Sequence, residues 1–150
     1  MDVTYQEEPN IHAFYDETKA LTYQHWHECD IHGGEVNIDW MAYELLKEKG
    51  LFHLYSIRAL GELVGYSGYV VAPSHHSMGR VFAQNDLCYV VPKQRGKMLF
   101  LKLLKFAEEE LKKYNVSVIG YSVKVEHDFS PILLRQGFVL EERYFSKRIQ

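Results

Sequence analysis

Apolar side chains recur with helical spacing in three stretches of the chain. The first runs from the candidate cap Asn10 through about residue 26, and the second is predicted for Trp40–Glu48, ahead of Gly50. The longest helix is predicted for residues 98–113, directly after a polar loop. Its broad apolar face consists of Leu99, Phe100, Leu103, Leu104, Ala107 and Leu111. Such a face predicts a helix that packs against a core.

Strand-forming residues fill most of the remaining chain. The predicted strands are residues 51–60, 63–72, 80–91 and 116–125, with 138–149 as a closing strand or hairpin. Gly61-Glu62 predicts a tight hairpin turn, and Gly65 and Gly68 predict a bulge or a close backbone approach. Ser130-Pro131 starts a short helix that ends near Gly137. The order ααβββαβαβ predicts one α/β domain, residues 1–150, with a mixed sheet.

Composition excludes several classes of protein. The chain has 150 residues, 47% of them hydrophobic, which is typical of one globular domain. A net charge of -3 disfavours non-specific binding to nucleic acid. No apolar run is long enough for a membrane span, and residues 1–4 show no start of a signal peptide. Cys29 and Cys88 stand at no metal-binding spacing, which predicts free thiols in a reducing cytoplasm.

A basic loop precedes the longest predicted helix. Residues 92–97 contain Arg95 and Lys97, and Pro92 ends the preceding strand. The N-terminus of a helix has free N–H groups and the positive end of the helix dipole, so it binds anions. The loop and the helix start together predict a cradle for a diphosphate.

This strand, loop and helix resemble the GNAT superfamily of N-acetyltransferases. The family signature, R/Q-x-x-G-x-G/A, places Arg95 at the first position, Met98 at the middle glycine and Phe100 at the final small residue. The basic residue is therefore kept and both small positions are lost, with Gly96 the only glycine of the loop. The surroundings also match, as residues 90–97, 103–108 and 133–138 read like the family's flanking segments.

The likeness is greatest to the small GNAT-like proteins of bacteriophages and prophages. The motifs that carry it are His25-Trp26-x-Glu28, Asp39-Trp40, His76, Asp86 and the late residues Glu142, Tyr144 and Lys147. Each motif is weak alone, but their order and spacing together support the resemblance.

The resemblance implies a GNAT fold, with a mixed central sheet of about six to seven strands flanked by about four helices. It implies transfer of an acetyl group from acetyl-CoA to a primary amine, which attacks the thioester directly. The backbone of Cys88, Tyr89 and Val90 would pair with pantetheine. The residues expected at the diphosphate are Arg95, Gly96, Lys97, Met98, Leu99 and Phe100.

The proton transfers have several candidate residues. Asp86 lies in an otherwise apolar strand, where burial would raise its pKa and suit it to be the base, or it serves as a structural partner. His76 is a second candidate base, against a solvated-loop alternative, and Glu28 is a third. The family's tyrosine acid corresponds to Leu133, so Tyr121 or water would protonate the thiolate.

Two further interpretations concern ligands and partners. Of His25, His27, Cys29 and His32, only His25 and Cys29 share a helical face, so we expect no metal site and place these residues beside the acceptor pocket. Lys124 either lines the cleft or lies at the surface. The acceptor, protein or small molecule, is left open, and so is a homodimer. The rival function is a non-catalytic GNAT-fold protein, a phage-type effector that binds a host protein, for which Met98, Phe100 and Leu133 argue.

Overall fold

The computed structural model describes residues 2–150 and shows a five-stranded sheet flanked by four α-helices. In chain order the elements are β1 (Val3–Glu7), α1 (Ile11–Cys29), α2 (Trp40–Glu48), β2 (Phe52–Ala59), β3 (Glu62–Pro73), β4 (Val81–Val90), α3 (Leu99–Lys112), β5 (Val118–Gly120) and α4 (Ser130–Arg135). The strands lie in the order β1-β2-β3-β4-β5, and only β4 and β5 pair in parallel.

Each face of the sheet carries its own hydrophobic core, because successive strand residues point to opposite faces. One core, on the side of α1 and α2, is built from Ile11, Phe14, Phe52, Leu54, Tyr66 and Tyr89. The other, on the side of α3, contains Tyr55, Ile57, Tyr69, Leu103, Ala107 and Leu111 among others. The sheet is therefore covered on both faces, and α1 and α3 lie on opposite sides of β4.

The predicted helices are confirmed, with local reasons for their boundaries. Asn10 caps α1 by accepting a hydrogen bond from the Ala13 amide at 3.0 Å, and Asp39 caps α2 in the same way from Ala42. α1 runs three residues further than predicted, to Cys29. The apolar face of α3 is the buried one, as its spacing predicts.

The strand prediction needs three corrections. β1 was not predicted, although Val3 and Tyr5 alternate with polar residues and face the core. Residues 138–149 form no strand, so the described residues form five strands rather than the expected six to seven. β5 is three residues long instead of ten. The β2–β3 turn is centred on Leu60 and Gly61, both at positive φ, one residue earlier than predicted.

Gly65 and Gly68 lie where neighbouring atoms leave no room for a side chain, as their positions in the second predicted strand suggested. A Cβ on Gly65 would lie 2.9 Å from the Tyr89 carbonyl oxygen, and one on Gly68 would lie 2.9 Å from the Phe52 ring. The β3–β4 register also shifts between Gly68 and Tyr69. This bulge changes the course of β4 at the point where the candidate site begins.

Candidate functional site

The candidate site is a cleft that opens where β4 and β5 stop pairing. Their parallel pairing runs from Phe82 and Val118 to Gln84 and Gly120 and does not continue beyond that in the described residues. The bulge follows at once, since Gly68 pairs with Leu87 and Tyr69 with Asn85, which leaves Asp86 without a partner on β3. The β5-facing edge of β4 from Asp86 onward therefore borders a cleft of about 1700 Å³.

The N-terminus of α3 forms one end of this cleft. Met98, directly before the helix, is in the left-handed region with φ 60° and ψ 10°, and no side chain caps the helix start. The first-turn amides of Leu99, Phe100 and Leu101 therefore have no partner among residues 2–150, although all three residues line the cleft. Left-handed backbone is unusual for methionine and costs conformational energy. The loop thus keeps a glycine-like conformation at the position where the family has its middle glycine.

The Arg95 side chain points toward α1 rather than toward the start of α3. Its Nε donates to the Val90 carbonyl at 2.8 Å, and its Nη2 donates to Glu28 Oε2 at 2.7 Å. The guanidinium also lies over the Tyr89 ring, 5.3 Å from the centroid. Arg95 therefore ties the end of β4 to α1 across the cleft.

Glu28 is the centre of a polar group on the α1 wall. Besides the Arg95 bond, Glu28 Oε1 accepts from the Tyr89 hydroxyl at 3.1 Å, and the Glu28 carbonyl contacts His127 Nε2 at 2.8 Å. Burial raises the pKa of Glu28, but the hydrogen bonds from Arg95 and Tyr89 and the charge of Arg95 outweigh it, so the pKa lies below its usual value. Glu28 is therefore a carboxylate at neutral pH and a weaker base than an ordinary glutamate.

His25 lies one turn before Glu28 on the same wall. Its Nδ1 is 3.0 Å from the Tyr66 hydroxyl, and its ring stacks on Tyr89 at 5.0 Å. Burial lowers the pKa of His25 to about 4; the charge of Glu28 raises it in part, and that of Arg95 lowers it further. His25 and Cys29 both border the cleft, whereas His27 is exposed and packs against Tyr23.

Asp86 lies on the opposite wall, at the bulge. Its side chain is exposed to the cleft, so the prediction that it is a buried carboxylate is wrong. The reason is the bulge, which turns Asp86 toward α2 instead of into a core. There the Tyr43 hydroxyl donates a short hydrogen bond to Asp86 Oδ2. Burial and the neighbouring Asp86 raise the pKa of Tyr43, so Tyr43 stays a donor. No local pattern predicts this partner, because Tyr43 and Asp86 are 43 positions apart in the chain.

Two predicted catalytic residues lie outside the cleft lining. His76 is exposed on the β3–β4 connection, which joins β4 at Val81. The part of β4 from Val81 to Asp86 is about 16 Å long, and it separates this connection from the bulge. The Tyr121 hydroxyl is bonded to the Tyr69 hydroxyl and its ring packs against Phe129 and Phe138. Burial raises the pKa of Tyr121 well above its usual value. Neither side chain is thus brought to the bulge.

The remaining predicted residues lie in the cleft, in a core or at the surface. Cys88 borders the cleft and its burial raises the thiol pKa to about 12, so it stays a thiol. Lys124 and Glu142 line the cleft, and the Leu133 side chain is buried. Lys97 is exposed and donates to Gln94 at 2.9 Å. Phe100 packs against the α3-side core, with its ring 5.0 Å from Phe129, which agrees with the inward orientation that its helical position predicts.

Residues 2–150 contain neither a metal-binding cluster nor a helix suited to span a membrane. No group of three or more histidine, cysteine, aspartate or glutamate side chains could hold a metal ion there. None of the helices in this part of the chain has the length and apolar character to cross a membrane.

Comparison with known proteins shows similarity in structure but not in sequence. No protein-family model matches the chain, and no curated protein matches it. A predicted acetyltransferase of Clostridium acetobutylicum, solved with acetyl-CoA, superimposes with a TM-score of 0.75 at 14% identity, over 99% of this chain and 97% of the other. Glucosamine-6-phosphate N-acetyltransferase of Arabidopsis thaliana gives 0.76 at 12% identity, over 100% of both chains. A GNAT family acetyltransferase of Staphylococcus aureus gives 0.70 at 16% identity, over 99% and 100%. The chain therefore has the GNAT acetyltransferase fold over essentially its whole length.

Proposed function

We propose that the protein is an acyl-CoA-dependent N-acyltransferase that transfers an acetyl group from acetyl-CoA to a primary amine. The observation that carries the proposal is the opening between β4 and β5, which leads directly to the uncapped start of α3. An unpaired strand edge suits an extended, hydrogen-bonding arm, and free helix amides suit a diphosphate. The strand edge and the helix start follow each other along one cleft, as the pantetheine arm and the diphosphate follow each other along coenzyme A.

The co-substrate would lie along two elements. Its pantetheine arm would pair with the free edge of β4 at Cys88, Tyr89 and Val90, and its diphosphate would bind at residues 96–100. Arg95 donates to the Val90 carbonyl in the structure, so pantetheine would share this acceptor with the guanidinium or replace it. A bound diphosphate offers that guanidinium an anionic partner at the same end of the cleft. Lys97, exposed in the loop, can add charge there without breaking an ion pair.

The chemical step needs positioning and one proton acceptor. The amine nitrogen attacks the thioester carbonyl carbon, the carbon–sulfur bond breaks, and the sulfur leaves as a thiolate that takes up a proton. Asp86 is the proposed acceptor of the amine proton because its carboxylate faces the cleft at the bulge and Tyr43 fixes only one of its oxygens. Glu28 is less suited, since its carboxylate is already paired with Arg95. Water would protonate the thiolate, because Tyr121 is bonded to Tyr69.

The charge of the cleft favours a cationic acceptor. Seven carboxylates line the cleft against three lysine or arginine side chains. Three of these acids, Asp30, Glu35 and Asp39, belong to the α1–α2 connection, on the α2 side with Asp86. A substrate amine is protonated in solution and must lose a proton before it attacks, so carboxylates both attract it and accept that proton. We therefore propose an amine with further positive charges, such as a polyamine or an amino sugar antibiotic, over a sugar phosphate.

The test is release of the coenzyme A thiol from acetyl-CoA in the presence of single amines. A panel of a polyamine, an aminoglycoside, glucosamine 6-phosphate and a peptide with a free N-terminus covers the alternatives. Turnover with the polycations, lowered by about 10²–10⁴-fold in the Asp86→Asn variant, is the expected result. No binding of coenzyme A by calorimetry at millimolar concentration would contradict the proposal and favour the non-catalytic binding protein.

Two narrower expectations stay predictions. The resemblance to bacteriophage and prophage proteins depends on short sequence motifs such as His25-Trp26-x-Glu28, which fall on the α1 wall of the cleft. A cytoplasmic location is supported by Cys29 and Cys88, which are unpaired thiols.

A further inference from the structure

Asn85 is the residue of β4 directly before the bulge, and its side-chain amide lies inside the bulge. It pairs with Tyr69 on β3, it is half-buried, and it borders the cleft just beyond the end of the β4–β5 pairing. Its Nδ2 lies 2.9 Å from the Leu87 carbonyl oxygen, 3.1 Å from the Gly68 carbonyl oxygen and 2.9 Å from Ser67 Oγ. One amide group therefore contacts both strands of the bulge.

The partners of Asn85 determine which end of its amide faces the bulge. The Leu87 and Gly68 carbonyls can only accept hydrogen bonds, so the group that faces them must be the amide nitrogen. Ser67 Oγ donates its own proton to the Tyr69 hydroxyl at 2.9 Å, which leaves its oxygen able to accept from Asn85. All three neighbours of Nδ2 are therefore acceptors, and its two hydrogens are shared among them.

The bulge decides which backbone groups of β4 face the cleft. The Val91 amide donates to the Val64 carbonyl at 2.9 Å, so in this register every second residue from Val91 back to Leu87 is hydrogen-bonded to β3. The N–H and C=O groups of Cys88 and Val90 therefore point away from β3, toward the cleft. A shift of the register by one residue would replace them with the groups of the intervening residues and would turn the side chains to the opposite face.

We propose that Asn85 is a positioning residue, whose amide holds the bulge and so sets the free edge of β4 and the direction of Asp86. Its bonds to Leu87 and Gly68 use the second lone pairs of the two carbonyls that pair β3 with β4 at this point. Asp86 itself has no partner on β3, so these side-chain bonds replace the missing ladder contacts. The inference rests on the proposed function only for its effect on turnover.

Two substitutions separate this role from simple filling of space. Aspartate has the shape of asparagine, but it would place a carboxylate oxygen against two carbonyl oxygens and a hydroxyl whose proton is already used. Alanine removes the three bonds without that repulsion. If Asn85 only filled space, aspartate would replace it well and alanine badly. A donor to the bulge is instead replaced worst by aspartate.

The first measurement is amide hydrogen exchange of the protein without ligand. In Asn85→Asp the amides of Leu87 and Gly68 should exchange about 5- to 100-fold faster, and Asn85→Ala should show the same pattern at smaller size. Amides of the β1–β2 pairing should stay as protected as in the wild type. Gln84→Glu is the matched control and should leave this exchange unchanged, because Gln84 is the preceding amide residue and its side-chain contacts are no shorter than 3.4 Å. Circular dichroism checks that each variant is folded, and Asn85→Ala alone carries the test if Asn85→Asp is not.

The second measurement separates positioning from stability. The kcat for transfer from acetyl-CoA should fall about 10- to 100-fold in Asn85→Asp, because small displacements of reacting groups cost that much. The Kd of coenzyme A should change less than about threefold, since the proposed diphosphate site lies at the other end of the cleft. A variant that was merely less stable would lose active protein and binding sites in the same proportion.

Three results would count against these expectations. Unchanged exchange of the Leu87 and Gly68 amides, or a larger effect of alanine than of aspartate, overturns the role of Asn85 in the bulge. Faster exchange with an unchanged kcat overturns its role in positioning. If coenzyme A does not bind at all, the proposed activity is wrong, and the exchange of the free protein still decides whether Asn85 holds the bulge.

Discussion

Arg95 and Glu28 form a 2.7 Å ion pair across the mouth of the cleft, and this pair links the loop before α3 to α1. The two residues are 67 positions apart in the chain. Both side chains are only partly exposed, 43% for Arg95 and 28% for Glu28. The pair occupies the guanidinium that the sequence assigns to a diphosphate. The diphosphate of coenzyme A and the Glu28 carboxylate should therefore compete for the Arg95 guanidinium.

The first prediction concerns the role of Arg95 in binding. Arg95→Ala should weaken coenzyme A by about 1.5–3 kcal/mol, or about 10- to 150-fold, if the guanidinium moves to the diphosphate. Binding of pantetheine, which lacks the diphosphate, should change little. Calorimetry with both ligands measures the difference. An equal loss for both ligands would show that Arg95 acts on the cleft wall through Glu28 and Val90 instead.

Glu28→Gln supplies the matched variant for this competition. It keeps the size of the side chain but removes the charge that holds Arg95. We expect coenzyme A affinity to stay equal or to rise a few-fold, since the guanidinium no longer has to leave a carboxylate. A large loss of affinity would mean that the ion pair itself builds the binding site.

The second prediction concerns proton transfer at the bulge. Asp86→Asn should lower kcat about 10²–10⁴-fold and leave coenzyme A affinity unchanged. Tyr43→Phe removes only the hydrogen bond to Asp86 and should cost less than about tenfold. The assay is thiol release with whichever amine of the panel is active. Asp86 would have no part in the reaction if its variant kept the wild-type rate.

The third prediction follows from the buried histidine of α1. Burial lowers the pKa of His25 from 6.5 to about 4, so the unfolded chain binds its proton before the folded one does. The contribution of the neutral His25 to the free energy of unfolding is therefore fully present above pH 6.5. It is lost as the pH drops toward 4, and the loss is roughly 3 kcal/mol at most. Relative to the wild type, His25→Phe should gain stability over this range.

Urea unfolding at pH 7 and pH 4 measures this difference directly. His27→Phe is the control, since it removes an exposed histidine from the same helix. An NMR titration of the His25 ring gives the second readout. A midpoint near 6.5 for His25 would be incompatible with a neutral, buried ring.

Much of the fold could be predicted from local pattern. The apolar face of α3 and the caps Asn10 and Asp39 depend on residues within one or two turns, so the sequence carries them directly. Residues 138–149 have an equally strand-like pattern but form no strand in this chain. A strand needs a partner edge, and the identity of that partner is not written in the local sequence.

The site was predictable only in part, for a similar reason. The diphosphate loop is local and was predicted, but the left-handed backbone of Met98, at the position where the family has glycine, was not. The side-chain partners are not local: the pairing of Tyr43 with Asp86 depends on how α2 lies over the sheet. Asp86 was misjudged as buried because simple alternation along β4 ignores the bulge opposite Gly68.

The last prediction concerns Phe100, which stands where the family has a small residue. Its ring is half-buried, packs against the α3-side core and meets Phe129 at 5.0 Å in an edge-to-face contact. The ring therefore stabilises the fold while the neighbouring amides stay open to the cleft. Phe100→Ala should lower the unfolding free energy by about 1–3 kcal/mol, less than for a fully buried ring. Coenzyme A affinity should stay within about twofold.

Phe129→Ala is the matched variant for this prediction, because it removes the partner ring but lies outside the diphosphate loop. The two variants should lose similar stability, and the double variant should lose less than the sum, since the rings contact each other. Urea unfolding and calorimetry with coenzyme A provide the two readouts. If Phe100→Ala instead kept full stability and bound coenzyme A much more tightly, the ring would be an obstruction in the diphosphate site. The native chain would then be a poor binder of coenzyme A, and the proposed enzyme activity would be wrong.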